Sequence, residues 1–395
     1  MAEEIVYVVL TPYTIRKSRT GAVLGRLLGR TSAELVATQM YALPSGFAAR
    51  VAETIGPGRS AQREGHRQLI REYVVRNFTP ASDGRLHRIL LLVFKGENAY
   101  QDIHDIVGSW RISSEQGETI RDTYGDLVET DAGEVVYLEP AVIMADSAKS
   151  AVDDLRMWVE FATKVPAVLS GLLKYANPER VEQTLVIIKP DNWKYRSSKP
   201  GAIVDMFSRT GLRIIGMKVV HMSVAQALRF YGPVKDALVR KLAPGVGTRA
   251  RTILERELGL ELSESLDSML TAEIGVPYAQ KTFEGIIEFM AGMRPDACPP
   301  SERQNKGKVK CLALIYEGED AVSRIRDVLG PTDPSQAQGG TVRGEFGRDV
   351  MVNTAHASDS AQNAEREAAI LKMHEGNVLT IVPALLEQSS QEDPE

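Results

Sequence analysis

His356 lies in residues 341–360, TVRGEFGRDVMVNTAHASDS. This stretch joins one imidazole to an arginine thirteen residues upstream and to a run of small polar residues directly after it. The pattern predicts a turn, a short apolar strand at Val350–Val352, and His356 where that strand ends. Ala357-Ser358-Asp359-Ser360 then opens a helical pattern, with Asp359 or Ser360 as its N-cap. An imidazole at such a junction is exposed to ligand beside backbone N–H groups that no helix bond uses, and such groups favour anions. Taken alone, the same stretch also reads as a polar loop with an ordinary cap, so the rest of the chain has to decide between the two.

The elements that would position it are written twice. Ile5–Leu10 and Arg88–Phe94 (RILLLVF) are continuous apolar runs fit for buried strands, and Thr184–Ile188 and Lys310–Tyr316 repeat them. Further strands are expected at Leu35–Leu43, Val135–Met144 and Leu212–Met222. Helices are expected after Gly21, from Lys95-Gly96 to about Val107, over 147–173, after Gly201, from Ser223 to about Tyr231, after Glu317-Gly318 to about Leu329, and near 361–373. Residues 56–86, rich in Gly and Arg, read as an inserted loop with a short helix at most. Phe94-Lys95-Gly96-Glu97-Asn98-Ala99 lies in register with Tyr316-Glu317-Gly318-Glu319-Asp320-Ala321. The spacings Gly96–Gly108 and Gly330–Gly318 are equal, as are Gly108–Arg121 and Gly330–Arg343. Thr119-Ile120-Arg121 matches Thr341-Val342-Arg343, and Asp146-Ser147 matches Asp359-Ser360. Agreement in one register implies a duplication, with its boundary in Lys174–Glu182 at an Asn-Pro turn signal. The order of elements suits an α+β sandwich with helices on one face of a mostly antiparallel sheet, and a doubly wound parallel sheet is the alternative. The second copy also carries extra segments, at 233–280 and 294–308.

Composition narrows the classes. With 395 residues the chain has material for two or three domains, and 43% apolar with 25% charged residues is ordinary for a globular protein. A net charge of −5 argues against a general nucleic-acid or anionic-membrane binder, and the basic stretches Arg59–Arg76 and Lys306–Lys310 read as solvated faces. Cys298 and Cys311 make neither a disulfide framework nor a metal-ligand spacing. The N-terminus MAEEIVYVVL carries no signal-peptide pattern, and no apolar run reaches membrane-spanning length, so a cytoplasmic location is expected.

Over residues 183–372, insertions apart, the second copy resembles the nucleoside diphosphate kinases. The resemblance rests on IIKPD at 187–191, the Gly-x-x-Val-x-x-Phe opening at Gly201, the Tyr231 helix, GPTDP at 330–334, GGTVRGEF at 339–346 and NTAHASDS at 353–360. It implies two ferredoxin-like βαββαβ domains in tandem. It also implies transfer of a γ-phosphate from a nucleoside triphosphate to a nucleoside diphosphate, by a ping-pong route through a phosphorylated His356. Carried over motif by motif, Lys189 reaches the moving phosphate. Arg326, Arg343 and Thr332 hold the nucleotide phosphates, Tyr231 sits against them, and Asn353 bonds the ribose side. Ser358 and Glu367 support the histidine. Arginine forks match phosphate oxygens, while a lysine is a point charge that can follow a moving group. Mg²⁺ is expected on the phosphate oxygens, without a carboxylate cage. Glu367 also reads as a solvated residue of NAEREAA. As a partner of His356 it is expected to make a moderate, partly solvated contact.

The family stacks the base on a phenylalanine after the Tyr231 helix. Here the matching position falls on Thr282, with Phe283 one step away, so the mode of base binding stays open. In the first copy, residues 1–173, the histidine position falls on Ile143 and the lysine position on Thr11. The two arginine positions give His104 and Arg121, and the threonine, asparagine and glutamate positions give Trp110, Pro140 and Asp154. That copy is expected to be inactive and to pack against an active domain at 183–388. Arg121 reads equally as an anion ligand or a turn cap, and His66, His87 and His104 as surface or structural histidines. Two other readings stand beside the kinase: a nucleotide sensor or scaffold with little turnover, and phosphorylation of a partner protein from His356. Family members assemble as tetramers or hexamers, so a homo-oligomer is expected. Three tandem chains would make a ring of alternating live and dead domains, and light scattering that gave a monomer at all concentrations would refute it.

Overall fold

In chain order the first half runs β1 (Glu3–Leu10), α1 (Pro12–Arg16), α2 (Thr20–Arg30), β2 (Glu34–Ala42), α3 (Ser45–Glu53), α4 (Ala61–Asn77), β3 (Arg88–Glu97) and α5 (Ala99–Val107). It continues through α6 (Ile120–Tyr124), β4 (Asp126–Glu129), β5 (Val135–Glu139), β6 (Val142–Met144) and α7 (Ala148–Ala162). The second half runs β7 (Val181–Ile188), α8 (Lys199–Ser208), β8 (Arg213–Val220), α9 (Val224–Leu258), α10 (Leu266–Leu270), α11 (Val276–Ala291), β9 (Cys311–Glu319) and α12 (Ala321–Leu329). It ends with α13 (Val342–Phe346), β10 (Ala355–Ala357), α14 (Ala361–Ile370), α15 (Asn377–Thr380) and α16 (Val382–Gln391). The computed structural model describes residues 3–57, 61–110, 117–132, 135–172 and 174–391. Arg59, at the start of the first basic stretch, lies outside them. Contacts divide the chain into two compact units, Met1–Val219 with Leu312–Glu395, and Val220–Cys311.

The first unit holds both copies of the duplicated fold. One sheet has strand order β2-β3-β1-β6 and the other β8-β9-β7-β10, which is the same order of equivalent strands. Pairing is antiparallel along β1–β3, β1–β6, β2–β3, β7–β9 and β7–β10. The fold is α+β and ferredoxin-like, not doubly wound. Helices cover both faces of the first sheet rather than one. Ile5, Tyr7 and Val9 of β1 share a core with residues of α3, α4 and α7, while α5 also packs on β1 and Val6, Val8 and Leu10 are buried as well. The physical reason is in the runs themselves, which are apolar at every position and not at every second one.

Three local expectations change. Residues 56–86 contain the 17-residue helix α4, whose Ile70, Tyr73 and Val74 enter the core. Val135–Met144 is two strands: β5 turns back on β4 as a ribbon, and only β6 joins the sheet. Val350–Val352 is a bend, because the Asp349 carboxylate accepts from the N–H groups of Met351 and Val352 at 2.9 and 2.7 Å and curls the chain there. His356 therefore lies inside β10, not at the end of a strand over 350–352.

The two copies meet through equivalent helices. A Cβ on Gly201 of α8 would fall 2.1 Å from Gly25 N and 2.4 Å from Gly21 O of α2, and one on Gly21 would fall 2.3 Å from Asp205 N. Only bare backbone allows this approach. The tail of the second copy crosses to the first: Val378, Val382 and Leu386 belong to the first copy's core, with α16 against β1 and α7. Full burial contributes roughly 1.5–3 kcal/mol per aliphatic side chain, so the tail is an integral part of that core.

The second unit is helical. Ser223 and Gln226 form a reciprocal capping box that starts α9, so the helix begins at the expected Ser223. It does not stop near Tyr231. It runs 35 residues, through Pro233 and Pro244, to a left-handed Gly259. Arg249–Leu258 is its last part, and α10 and α11 pack along it. Phe283 and Ile287 of α11 are buried, and Arg251 of α9 pairs with Asp267 of α10 at 3.0 Å. Both cysteines are buried, and neither is in a disulfide. Among the described residues, no helix is long and apolar enough to cross a membrane.

Candidate active site

Eight of the nine residues singled out in the sequence fall in the first unit, and strand register explains why several of them converge. His356 of β10 pairs with Ile187 of β7, two residues before Lys189, which ends that strand. The Lys189 N–H donates to Thr354 O at 3.0 Å, tying the two strand ends together. Thr354 itself has φ of +75°, rare for a β-branched residue and costly by about 1–3 kcal/mol, a kind of strain that gathers at functional sites. The bend at Asn353–Ala355 turns the chain into β10.

Around His356 the polar groups form one chain. The ring Nε2 lies 2.8 Å from Glu367 Oε2, and Ser358 Oγ donates to the same oxygen at 2.6 Å. Arg366 reaches the other carboxylate oxygen at 3.4 Å. The glutamate side chain is 7% exposed and the imidazole 21%, so the carboxylate is buried and the ring is open to ligand on one side. The contact is closer and drier on the acid side than the partly solvated one expected. Ser358 accounts for this, since its hydroxyl fills one of the acceptor sites that water would take. With the Nε2 proton given to Glu367, the neutral ring carries its lone pair on Nδ1.

The cations are set by carbonyls. Lys189 Nζ donates to Asn353 Oδ1 at 2.6 Å and to Met351 O at 3.4 Å, and Asn353 Nδ2 donates to Thr332 O and Val350 O at 2.9 and 2.8 Å. Arg343 of α13 donates to Gly330 O and Ala355 O, both at 3.0 Å. Arg326, in the last turn of α12, is exposed; the Asp359 carboxyl is held low chiefly by the Asn363 side-chain hydrogen bond, with a smaller pull from the Arg326 charge. The Thr332 side chain is exposed on the loop. Asn353 here braces the lysine and two loop carbonyls, where the resemblance had it bonding a ribose.

Tyr231 lies on α9 in the second unit, buried with its ring 4.9 Å from Phe230. Phe283 is buried in the same unit, and the Thr282 hydroxyl is spent on Tyr278 O, so neither is an open platform for a base. Two neighbours of the site were missed. Asn192 is buried and donates to Lys189 O and Thr354 O at 3.0 and 2.8 Å, clamping the strand ends. Burial pushes the Asp191 carboxyl up against the opposing pull of Lys199 and Lys189. Both stand beside Lys189-Pro190, which was the only available signal.

The first copy keeps the frame without these groups. Ile143 pairs with Val9 as His356 pairs with Ile187. Ala141 repeats the left-handed bend at φ of +56°, and Thr11 N donates to Ala141 O at 3.0 Å. Arg121 donates to Gly108 O and Val142 O, the equivalents of the Arg343 partners. Its guanidinium is buried 3.7 Å from the centroid of the Trp110 ring, and Arg67 lies 5.2 Å from the same centroid and pairs with Asp146. Burial beside Arg67 holds Arg121 down to about 9. Asp154, the counterpart of Glu367, accepts from the Tyr7 hydroxyl at 2.8 Å, and burial pushes its carboxyl up to about 6.

That last shift has a consequence for stability. The folded chain binds this proton more tightly than the unfolded chain, so the contribution is full below about pH 4 and is lost as pH rises to about 6. Asp154→Asn keeps an acceptor for Tyr7 and removes the charge. Thermal melts should show the variant gaining on the parent between pH 4 and 6, reaching about 2 kcal/mol at pH 7.

The family model described as nucleoside diphosphate kinase matches residues 182–239 and 303–375. The nucleoside diphosphate kinase of Helicobacter pylori (strain P12) is 31% identical over 188 residues, covering 48% of this chain and 93% of that protein. The corresponding enzyme of Chlamydia caviae is 30% identical over 187 residues, covering 47% and 89%. A solved structure of an NDP kinase from Pyrobaculum aerophilum is 26% identical, covers 48% of this chain and 94% of that one, and superposes with a TM-score of 0.33.

Proposed function

The chain belongs to the nucleoside diphosphate kinase family, and we propose that its second copy moves a γ-phosphate from a nucleoside triphosphate to a nucleoside diphosphate through a phosphorylated His356. The observation that carries this reading is the Ser358–Glu367–His356 hydrogen-bonded chain: with Glu367 accepting from Nε2, the neutral ring presents Nδ1 as the attacking atom. Nδ1 forms a bond to the γ-phosphorus as the bond from phosphorus to the β–γ bridging oxygen breaks, and the nucleoside diphosphate leaves with that electron pair. The second diphosphate then takes the phosphoryl group by the reverse step, giving ping-pong kinetics. The chain's work is positioning and charge: Lys189, Arg326 and Arg343 meet phosphate oxygens, and the carbonyl partners of Lys189 and Arg343 hold those cations without neutralising them. This donor set is cationic, so it fits a Mg²⁺ ion that arrives on the nucleotide phosphates as part of the substrate.

The first copy, residues 1–173, carries out no transfer of its own. An isoleucine stands at its histidine position, and its remaining cations are turned onto Trp110, Asp146 and backbone carbonyls. Binding should therefore saturate at one nucleotide per chain, with titration calorimetry as the check.

The test is to incubate the protein with γ-labelled ATP and Mg²⁺ and then add a second nucleoside diphosphate. Acid-labile label that the diphosphate discharges supports the transfer. Label that stays on the chain points to phosphorylation of a partner instead. Nucleotide binding with no label refutes the reading and leaves a sensor.

A further inference from the structure

Glu367 is held at its own turn of α14 by His356 and Ser358, and the helix is capped at Ser360 and packs along β7. Its sequence, AQNAEREAAI, buries only Ala364 and Glu367, and ten residues with so small an apolar face make a marginal helix. Its C-terminal end is fixed from outside. Lys218 Nζ on β8 donates to Leu371 O, the C-cap carbonyl, and to Lys372 O just past it, at 3.3 and 2.7 Å. The next residue of β8, Val219, exchanges two hydrogen bonds with the Asn377 side chain: its N–H donates to Oδ1 at 2.6 Å and its carbonyl accepts from Nδ2 at 3.0 Å. The same Oδ1 accepts from Thr38 N, on β2 of the first copy, at 3.3 Å. Asn377 is 1% exposed. Directly after it, Val378 and Val382 sink fully into the first copy's core, with Leu386 behind them.

We propose that the first copy acts on the reaction through this strap. Docking of residues 377–386 in its core fixes Asn377, and Asn377 and Lys218, adjacent through Val219, set where α14 presents Glu367 to His356. Both are positioning residues, since neither touches the reacting atoms. The proposal rests on the phosphohistidine reading, and it gives a half with isoleucine at the nucleophile position a part in a histidine's reactivity. Each link is a hydrogen bond or a step along the backbone, and the end of the path is the carboxylate that faces the ring.

The test is a double-mutant cycle on the full chain, read as the rate at which His356 takes label from γ-labelled ATP with Mg²⁺. Asn377→Ala should slow phosphorylation by about three- to thirtyfold, the range that residues along a coupling network usually show, with little change in nucleotide KM. In a Glu367→Gln background the same change should add nothing, because its route has already been cut. Equal slowing in both backgrounds, or no slowing in the parent, overturns the proposal. If Asn377→Ala fails to fold, Val382→Ala, which loosens the strap by two methyl groups, runs the same cycle. If the parent chain takes no label, the kinase reading fails on its own. The strap is then tested by amide hydrogen exchange: faster exchange across α14 in Val382→Ala upholds it, and unchanged exchange refutes it.

Discussion

His356→Ala should lower phosphotransfer by a factor on the order of 10⁴ or more while leaving nucleotide binding and folding close to those of the parent. The size follows from what the side chain does. In the proposed transfer it is the group that bonds to phosphorus, and the groups described beside it, the buried Glu367 carboxylate and the Ser358 hydroxyl turned onto that carboxylate, do not replace it. Binding is spared because Lys189 and Arg343 are braced by Asn353 Oδ1 and by the carbonyls of Met351, Gly330 and Ala355, none of which depends on the imidazole. Glu367→Gln should fall between the two, with a loss of about 10²-fold. The amide can donate to the ring nitrogen as readily as accept from it, so part of the population would hold its proton on the wrong nitrogen. Stopped-flow labelling of all three proteins gives the ranking. An alanine variant as fast as the parent would remove His356 from the mechanism, and a glutamine variant as slow as alanine would make the carboxylate more than an orienting group.

Much of this site was legible in the sequence because it is assembled from short segments with fixed register. Lys189 closes one apolar run, His356 pairs with the same strand two residues earlier, and the Gly330-to-Arg343 spacing that marked the duplication is the span of the Arg343 bond to Gly330 O. The repeat could be read for the same reason: equal spacings became equal strand orders, down to the left-handed bend shared by Thr354 and Ala141. What could not be read depends on partners far apart along the chain. Nothing around Asn377 shows that its amide will meet Thr38 and Val219, and nothing in the polar-rich segment 56–86 shows that Arg67 will lie beside Trp110. The strand expected over 350–352 failed for a local reason. Three apolar residues in a row carry less weight than an Asp349 side chain that takes two backbone N–H groups. In α9 the opposite error occurred: the helix expected to end near Tyr231 continues through Pro233 and Pro244 to Gly259.

Gly201→Ala should be among the most damaging single-methyl changes at the described residues, costing more than about 3 kcal/mol and separating the two copies or preventing folding. The added carbon would lie 2.1 Å from Gly25 N, 2.4 Å from Gly21 O and 2.4 Å from Gly25 Cα. All three are backbone atoms of a helix, so no rotamer change can make room, and α2 would have to move away as a body. It cannot do so alone. α2 buries Val23, Leu24 and Leu27 in the first copy, and the second copy is tied to the first again through the strap at Asn377. Relief at the glycine contact therefore strains packing at both ends of the junction. Gly46→Ala is the matched control: it adds the same carbon in another helix, with nothing within 4 Å, and should stay within about 0.5 kcal/mol of the parent. Denaturation monitored by tryptophan fluorescence separates the cases, since Trp158 lies in the first copy's core and Trp193 follows β7 in the second. Two transitions in Gly201→Ala where the parent shows one would identify the helix contact as the joint that makes the copies a single cooperative body. A variant as stable as the Gly46 control would mean that the helices do not approach so closely in solution.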